Sequence, residues 1–189
     1  MADFVLQRSD CMNEQQMRGF LKRARKNKIP IEVITKPDSQ EAIIKFDHYM
    51  MFYTPHIYAE DKFLLKEQAT KSQDITFVED CGRFASLQRS YSMIRKKAYV
   101  YPAINTYFSY RYEEDFVDLF KVEDGFNAYK HTFVKFIPLL MSCYDEIKSS
   151  IDNPLYIGDN VGNELLIAPC YPPGIEKHLS TDSFEVLIE

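Results

Sequence analysis

Two short apolar segments separated by a turn constrain the fold of this chain more than any other feature. Residues 31–35 and 41–47 alternate in the manner of β-strands, and residues 36–40 between them (Lys-Pro-Asp-Ser-Gln) have a composition typical of tight turns. A second pair of strands is predicted at 155–157 and 164–168, on either side of Gly158-Asp159-Asn160-Val161-Gly162-Asn163. The sequence therefore predicts two β-hairpins.

Helical periodicity lies between these hairpins. Helices are predicted at 13–27, 60–70 and 83–97, and a longer helical region at 113–150 contains a break at Gly125. The second half of that region is apolar nearly all round, which predicts a buried central helix at about 126–150, kinked at Pro138. Helices and hairpins alternate without a βαβ repeat. We therefore expect a single α+β domain over 1–189, with a mixed or antiparallel sheet of hairpins packed on the kinked helix.

Composition excludes several classes of function. The chain has only 6 glycines and contains neither of the Gly-rich phosphate-binding motifs. Its 4 cysteines are widely separated and form no C-x-x-C pair, which predicts buried free thiols in a reducing compartment and no metal site. The longest apolar stretch, at 133–144, is too short to span a bilayer. We expect a cytoplasmic protein with no membrane contact and no cofactor.

Charge is segregated along the chain, and this segregation is the main functional signal. Residues 81–111 contain six basic side chains and no acidic one, although the whole chain carries a net charge of −5. Cations interleaved with aromatic rings are typical of surfaces that bind single-stranded nucleic acid. Tyr and Arg are also enriched at protein interfaces. The predicted contact segment is 89–111, with Arg89, Tyr91, Arg95, Lys96, Lys97, Tyr99, Tyr101, Tyr107, Tyr110 and Arg111 as candidate binding residues.

A second basic cluster at 18–28 could extend this surface, through Arg18, Lys22, Arg25 and Lys26. Both clusters lie at the ends of predicted helices, where basic residues also complement the helix dipole. The leading hypothesis is a non-enzymatic binding or regulatory protein that contacts nucleic acid or an acidic protein partner. The sequence does not separate these two targets.

One alternative is a Mg²⁺-dependent nuclease or phosphodiesterase. Asp47 follows an apolar strand, and Glu60-Asp61-Lys62 comes after it with twelve residues in between. Two carboxylates would hold the metal, and the lysine would position or deprotonate the attacking water. This spacing resembles the PD-(D/E)xK nuclease pattern over about 16 residues, and the resemblance implies catalytic roles for Asp47, Glu60 and Lys62.

Two further hypotheses come from the histidines and from the absence of a catalytic motif. His48 and His56, together with Asp47, could converge on a metal ion across a hairpin. The chain could also be a structural subunit of a larger assembly. The sequence does not indicate its oligomeric state.

Overall fold

The computed structural model of this protein describes residues 14–97, 107–112, 115–122, 125–141, 146–148 and 154–171. Its helices and strands form an α+β fold with a mixed sheet, which confirms the fold class predicted from the sequence. The predicted single domain over 1–189 stays a prediction.

The elements follow the predicted order up to residue 97, whereas the described part of the region predicted as helical, 113–150, contains strands and two single helical turns. The first half of the chain contains α1 (Glu14–Lys26), β1 (Ile31–Thr35), β2 (Ala42–Phe46), β3 (Met50–Thr54), α2 (Ala59–Lys71), β4 (Ile75–Glu79) and α3 (Cys81–Lys97). The second half contains β5 (Tyr107–Tyr112), β6 (Asp115–Val122), β7 (Gly125–Lys130), the single-turn helices α4 (His131–Val134) and α5 (Ile137–Leu140), β8 (Glu146–Lys148), β9 (Leu155–Gly158) and β10 (Glu164–Ile167).

Seven strands form the larger sheet, in the order β4-β1-β2-β3-β10-β9-β8. Strands β1 and β2 form the predicted hairpin, with Ile31 opposite Phe46 and Thr35 opposite Ala42. Asp38 in its turn has a φ of 53°, a left-handed conformation that Asp tolerates better than most residues. Strand β4 pairs in parallel with β1, since α2 returns the chain across the sheet.

The larger sheet separates the hydrophobic core into two layers. On β2, Ala42, Ile44 and Phe46 face the layer that contains α1 and α2, whereas Ile43 faces the layer that contains α3. Helix α1 is held on the first layer by an apolar stripe of Met17, Phe20, Leu21 and Ala24. Helices α1 and α3 therefore lie on opposite faces of this sheet.

The smaller sheet has the order β5-β6-β7 and packs against the first layer. The rings of Phe120 and Tyr129 meet edge to face, with centroids 5.4 Å apart, and both belong to the same core cluster as α1. After β10, the N–H of Cys170 donates a hydrogen bond of 2.8 Å to the carbonyl of Ala128. The chain thus connects the two sheets through a backbone bond.

The prediction of a kinked central helix at about 126–150 is wrong. This region contains β7, two single helical turns and β8. The aromatic and β-branched content of β6 and β7 favours strands, and Asp124-Gly125 between them is a hairpin sequence. Pro138 lies in the first turn of α5 and does not kink a longer helix, because its missing N–H removes no hydrogen bond there. The sequence also predicts strands at 98–101 and 183–188, and both segments lie outside the described residues.

Candidate functional site

Within the predicted contact segment 89–111, the structure describes the side chains of two candidate residues. Arg89 is exposed on α3, and its Nε donates a weak 3.4 Å hydrogen bond to the carbonyl of Ala85. Tyr91 is 1% exposed and belongs to the core layer beneath α3. The other candidate side chains lie outside the described part: Arg95, Lys96, Lys97, Tyr99, Tyr101, Tyr107, Tyr110 and Arg111.

The contact role predicted for Tyr91 is wrong, because its ring is enclosed. Tyr91 shares one face of α3 with Phe84, and its ring centroid lies 6.1 Å from that of Tyr53 on β3. Burial, together with the nearby Glu164 carboxylate and Tyr156, raises the pKa of Tyr91 well above its usual range. Among the residues that the structure describes, its buried hydroxyl has no hydrogen-bond partner. Tyr91 is therefore a core residue with an unsatisfied polar atom.

Two Tyr→Phe substitutions in this layer should have opposite effects on stability. Tyr91→Phe removes an unsatisfied buried hydroxyl and should leave the free energy of unfolding unchanged or raise it by up to about 1 kcal/mol. Tyr156→Phe removes a hydroxyl that donates a hydrogen bond of 3.1 Å to Glu164, and it should lower the free energy of unfolding by about 1 kcal/mol. Urea denaturation of both variants measures the difference. A loss of stability in Tyr91→Phe equal to that in Tyr156→Phe would show that the Tyr91 hydroxyl has a partner.

The cations of α1 form the clearest charged surface in the described part of the chain. Arg18, Lys22, Arg25 and Lys26 are all exposed, and we call these four residues the α1 cationic face. They follow the i, i+4 and i+7 spacing that places side chains on one side of a helix, over about 12 Å. Among the described residues, no carboxylate lies within ion-pair distance of Lys22, Arg25 or Lys26.

A shallow groove borders the α1 cationic face on the side of α2. It has a volume of about 260 Å³ and is lined by Leu21 and Leu64 in addition to Arg18, Lys22, Arg25 and Gln68. The guanidinium of Arg25 donates a hydrogen bond to the side-chain carbonyl of Gln68, which fixes the arginine across the groove. Apolar side chains and cations are thus adjacent here, and the groove can accept a side chain from a ligand.

The part of segment 89–111 that lies on α3 does not form one surface with the α1 residues, so the predicted extension is wrong for Arg89. Helix α1 packs on one face of the seven-stranded sheet and α3 on the other, so the sheet lies between Lys22 and Arg89. On α3, Arg83 is already bound by Glu32 through two hydrogen bonds of 2.6 and 2.7 Å. The α1 cationic face therefore acts separately from α3.

The predicted nuclease residues do not converge. Asp47 lies in the turn after β2, whereas the Nζ of Lys62 donates to the carbonyl of Ser39, 3.2 Å away, in the turn before β2. The five residues of β2 separate these positions by about 16 Å. Glu60 lies in the first turn of α2, where a carboxylate complements the helix dipole. The prediction of a Mg²⁺ site made of Asp47, Glu60 and Lys62 is therefore wrong.

The histidine hypothesis fails for the same reason. His48 lies beside Asp47 with 3.7 Å between Nε2 and Oδ1, while the Nδ1 of His56 is 3.4 Å from the side-chain oxygen of Gln40 at the other end of the hairpin. Within the described residues, no group of three or more His, Cys, Asp or Glu side chains is arranged to hold a metal ion.

A polar cleft beside α3 was not predicted from the sequence. It has a volume of about 490 Å³, and Tyr53, His56, Gln88, Ser92 and Glu164 supply its polar lining. At its edge, the hydroxyl of Tyr53 donates to Glu41 at 2.9 Å, and Lys36 forms an ion pair with the same carboxylate.

Neighbouring side chains set the protonation states of Glu41 and Tyr53 at this cleft. Burial alone would raise the pKa of Glu41, but hydrogen bonds from Lys36, Tyr53 and Ser39 lower it below its usual value. Burial and the Glu41 carboxylate raise the pKa of Tyr53 well above the usual range. The cleft therefore presents an ionised carboxylate and a neutral phenol, which suit hydrogen bonding rather than proton transfer near neutral pH.

A buried Asp–His pair is the second feature that the sequence did not reveal. Asp118 on β6 is fully buried, and both of its carboxylate oxygens lie 2.8 Å from the Nδ1 of His131. The N–H of that nitrogen donates to the carboxylate, which orients the imidazole and ties α4 to the smaller sheet. Nearby, the side-chain amide of Asn127 bonds to the hydroxyls of Tyr129 and Tyr171, at 3.1 and 3.0 Å. This network is polar but internally bonded, as a structural anchor requires.

Two described cysteines bear on the predicted compartment. Cys81 and Cys170 form no disulfide, and Cys81 is exposed, so the expectation that the thiols are buried is wrong for this residue. Within the part of the chain that the structure describes, no helix combines the length and apolarity needed to cross a bilayer.

Comparison of the chain with protein-family models, with curated proteins and with solved structures found no match. Arguments about function therefore rest on the geometry of the chain itself.

Proposed function

We propose that this protein is a non-enzymatic binding protein that contacts an acidic segment of a partner protein through the α1 cationic face. The observation that carries the proposal is the set of exposed cations with no carboxylate near Lys22, Arg25 or Lys26 in the described residues. Charges of one sign gathered on one helix face attract a ligand of the opposite sign and accelerate its association.

An acidic protein segment is favoured over nucleic acid for three reasons. The groove beside the cations has apolar walls, Leu21 and Leu64, which suit a leucine-like side chain rather than a phosphate. Tyr91, the described candidate for base stacking, is enclosed in the core. The net charge of −5 also opposes a long polyanion more strongly than a short acidic segment.

Simple energetics indicate a weak and reversible contact. Exposed ion pairs contribute about 0.2–1 kcal/mol each, so four of them supply at most about 4 kcal/mol. One apolar side chain in the groove adds about 1.5–3 kcal/mol. The sum corresponds to a dissociation constant near or above about 10 µM, which is typical of regulatory contacts that form and dissociate readily.

Fluorescence anisotropy with three probes tests the proposal. The probes are a labelled Glu-rich peptide containing one Leu, the same peptide with Ala in place of Leu, and a single-stranded oligothymidylate. We expect the Leu peptide to bind about tenfold more tightly than the Ala peptide, because only its side chain fills the groove, and to weaken as salt is added. Tighter binding of the oligothymidylate, with a slope of log K against log salt near −0.7 per phosphate, would assign the surface to nucleic acid instead. No binding of any probe at low salt would refute the proposal.

We also propose a cytoplasmic location. The free thiol of the exposed Cys81 supports it, because such a thiol persists in a reducing compartment.

A further inference from the structure

Strand β4 forms one edge of the seven-stranded sheet. It pairs with β1 on one side, and no strand among the described residues pairs with its other side. An open edge presents unpaired backbone groups that can bond to another strand. The accessible part of this edge is a candidate interaction surface.

The hydrogen bonds to β1 show which groups of β4 face outward. The N–H of Ile31 donates to the carbonyl of Asp74, and the N–H of Asp80 donates to the carbonyl of Thr35. In a parallel ladder the bonding residues alternate, so Thr76 and Val78 also bond to β1. The N–H and C=O groups of Phe77 and Glu79 therefore point away from the sheet. Phe77 is half-buried and Glu79 is exposed, so both backbones are open to a partner.

Helix α2 lies beside this edge and supplies both charged and apolar side chains. The Nζ of Lys66 lies 2.8 Å from a carboxylate oxygen of Glu79 and 5.0 Å from the ring centroid of Phe77. Lys66 and Thr70 line a groove of about 980 Å³ between α2 and the edge strand. Phe63 precedes Lys66 by three residues and Thr70 by seven, and this spacing places all three residues on the same face of α2. Its side chain is 69% exposed.

We infer that the β4 edge and the exposed face of α2 form a homodimer interface with a second copy of this chain. The two β4 strands would pair antiparallel about a twofold axis at Val78, with Phe77 of each copy opposite Glu79 of the other. Residues that face outward on both strands then exchange both backbone bonds, so the two Phe77–Glu79 pairs form about four hydrogen bonds. The seven-stranded sheets become one continuous sheet.

The charges on this surface favour a second copy over an unrelated peptide. In the antiparallel arrangement, each Glu79 meets the Lys66 of the other copy while it remains near its own. Both signs of charge are thus present on the same patch, as a self-complementary interface requires. A uniformly acidic or basic peptide would leave one sign unmatched.

The exposed aromatic ring gives independent support. Lys62 and Lys66 both lie within 4 Å of Glu79, which places the first half of α2 at the level of the proposed axis. Phe63 falls between these two residues, so the twofold axis brings the two Phe63 side chains together. Aromatic side chains are enriched at protein–protein interfaces relative to the rest of the surface. The patch is small, and we therefore expect association only at high micromolar concentration.

Sedimentation equilibrium from about 10 µM to about 1 mM tests the inference. The 22.2 kDa chain should approach twice its mass over this range. Phe63→Ser should weaken association at least tenfold, while Met93→Ser should change it less than twofold. Met93 is a matched control because it is 59% exposed on α3, on the opposite face of the sheet. A single-chain mass at the highest concentration, or equal effects of the two substitutions, would overturn the inference.

Oxidative cross-linking tests the register, in a Cys81→Ser background that removes the neighbouring exposed thiol. Val78→Cys should form a disulfide with residue 78 of the second copy, because residues at the twofold axis lie directly opposite each other. Thr76→Cys should not, because the two Thr76 residues would be about 13 Å apart, beyond disulfide reach. Mass spectrometry of the linked peptides identifies the bond. Cross-linking of Thr76→Cys at the same rate as Val78→Cys would contradict this arrangement.

Discussion

Replacing Phe46 with alanine should destabilise the fold by about 3–5 kcal/mol. Phe46 is fully buried at the end of β2, where its ring centroid lies 5.7 Å from that of Phe20 on α1 and 5.3 Å from that of Phe136 before α5. One side chain therefore joins a helix, the sheet and the connection between the two short helices. Alanine would leave a cavity that rigid neighbours on three elements can fill only in part.

Urea denaturation measures this effect. Since a domain of this size is stable by about 5–15 kcal/mol in total, Phe46→Leu provides a milder variant that keeps most of the volume and should lose less. Met93→Ala, at an exposed position, should change the free energy of unfolding by less than about 0.5 kcal/mol. Similar losses in Phe46→Ala and Met93→Ala would mean that Phe46 is not at the centre of the core.

His131→Ala should lower the free energy of unfolding by about 2–3 kcal/mol. The substitution removes a hydrogen-bond donor from the fully buried carboxylate of Asp118, and bonds to charged groups are worth about 1.5–3 kcal/mol. It also removes the bond that holds α4 against β6.

His48→Ala is the matched control for this measurement. The His48 side chain is 90% exposed, so its removal should cost less than about 0.5 kcal/mol. Thermal or urea unfolding of both variants at neutral pH gives the comparison. If His131→Ala is no more costly than His48→Ala, the Asp–His pair does not anchor the smaller sheet.

Local sequence signals predicted the first half of the chain well. The turn at Asp38 and the apolar stripe of α1 each act over a few residues, so the structure reproduces β1, β2 and α1 within one or two residues. The region from Asp115 to Lys148 was harder. Its apolar segment is buried on several sides, and continuous burial removes the alternation that distinguishes a strand from a helix. The Asp124-Gly125 dipeptide was the available signal for a hairpin there.

The candidate site could be predicted only in part. Exposure of Lys22 and Arg25 follows from their positions relative to the apolar stripe of α1. The burial of Tyr91 agrees with a local pattern, because Tyr91 shares the apolar side of α3 with Phe84, Leu87 and Ile94. By contrast, Asp118 and His131 are 13 residues apart and meet only because β6 and β7 pair. Contacts that depend on sheet order are not encoded in any short window.

The most direct test of the proposed function compares two charge reversals in the anisotropy assay with the Leu-containing acidic peptide. Lys22→Glu and Arg89→Glu each make the net charge more negative by two, but they lie on opposite faces of the sheet. We expect Lys22→Glu to weaken binding about 5- to 30-fold, because a favourable ion pair becomes a repulsive one. Arg89→Glu should change it less than twofold. Equal losses in the two variants, or a larger loss in Arg89→Glu, would contradict a contact through the α1 cationic face.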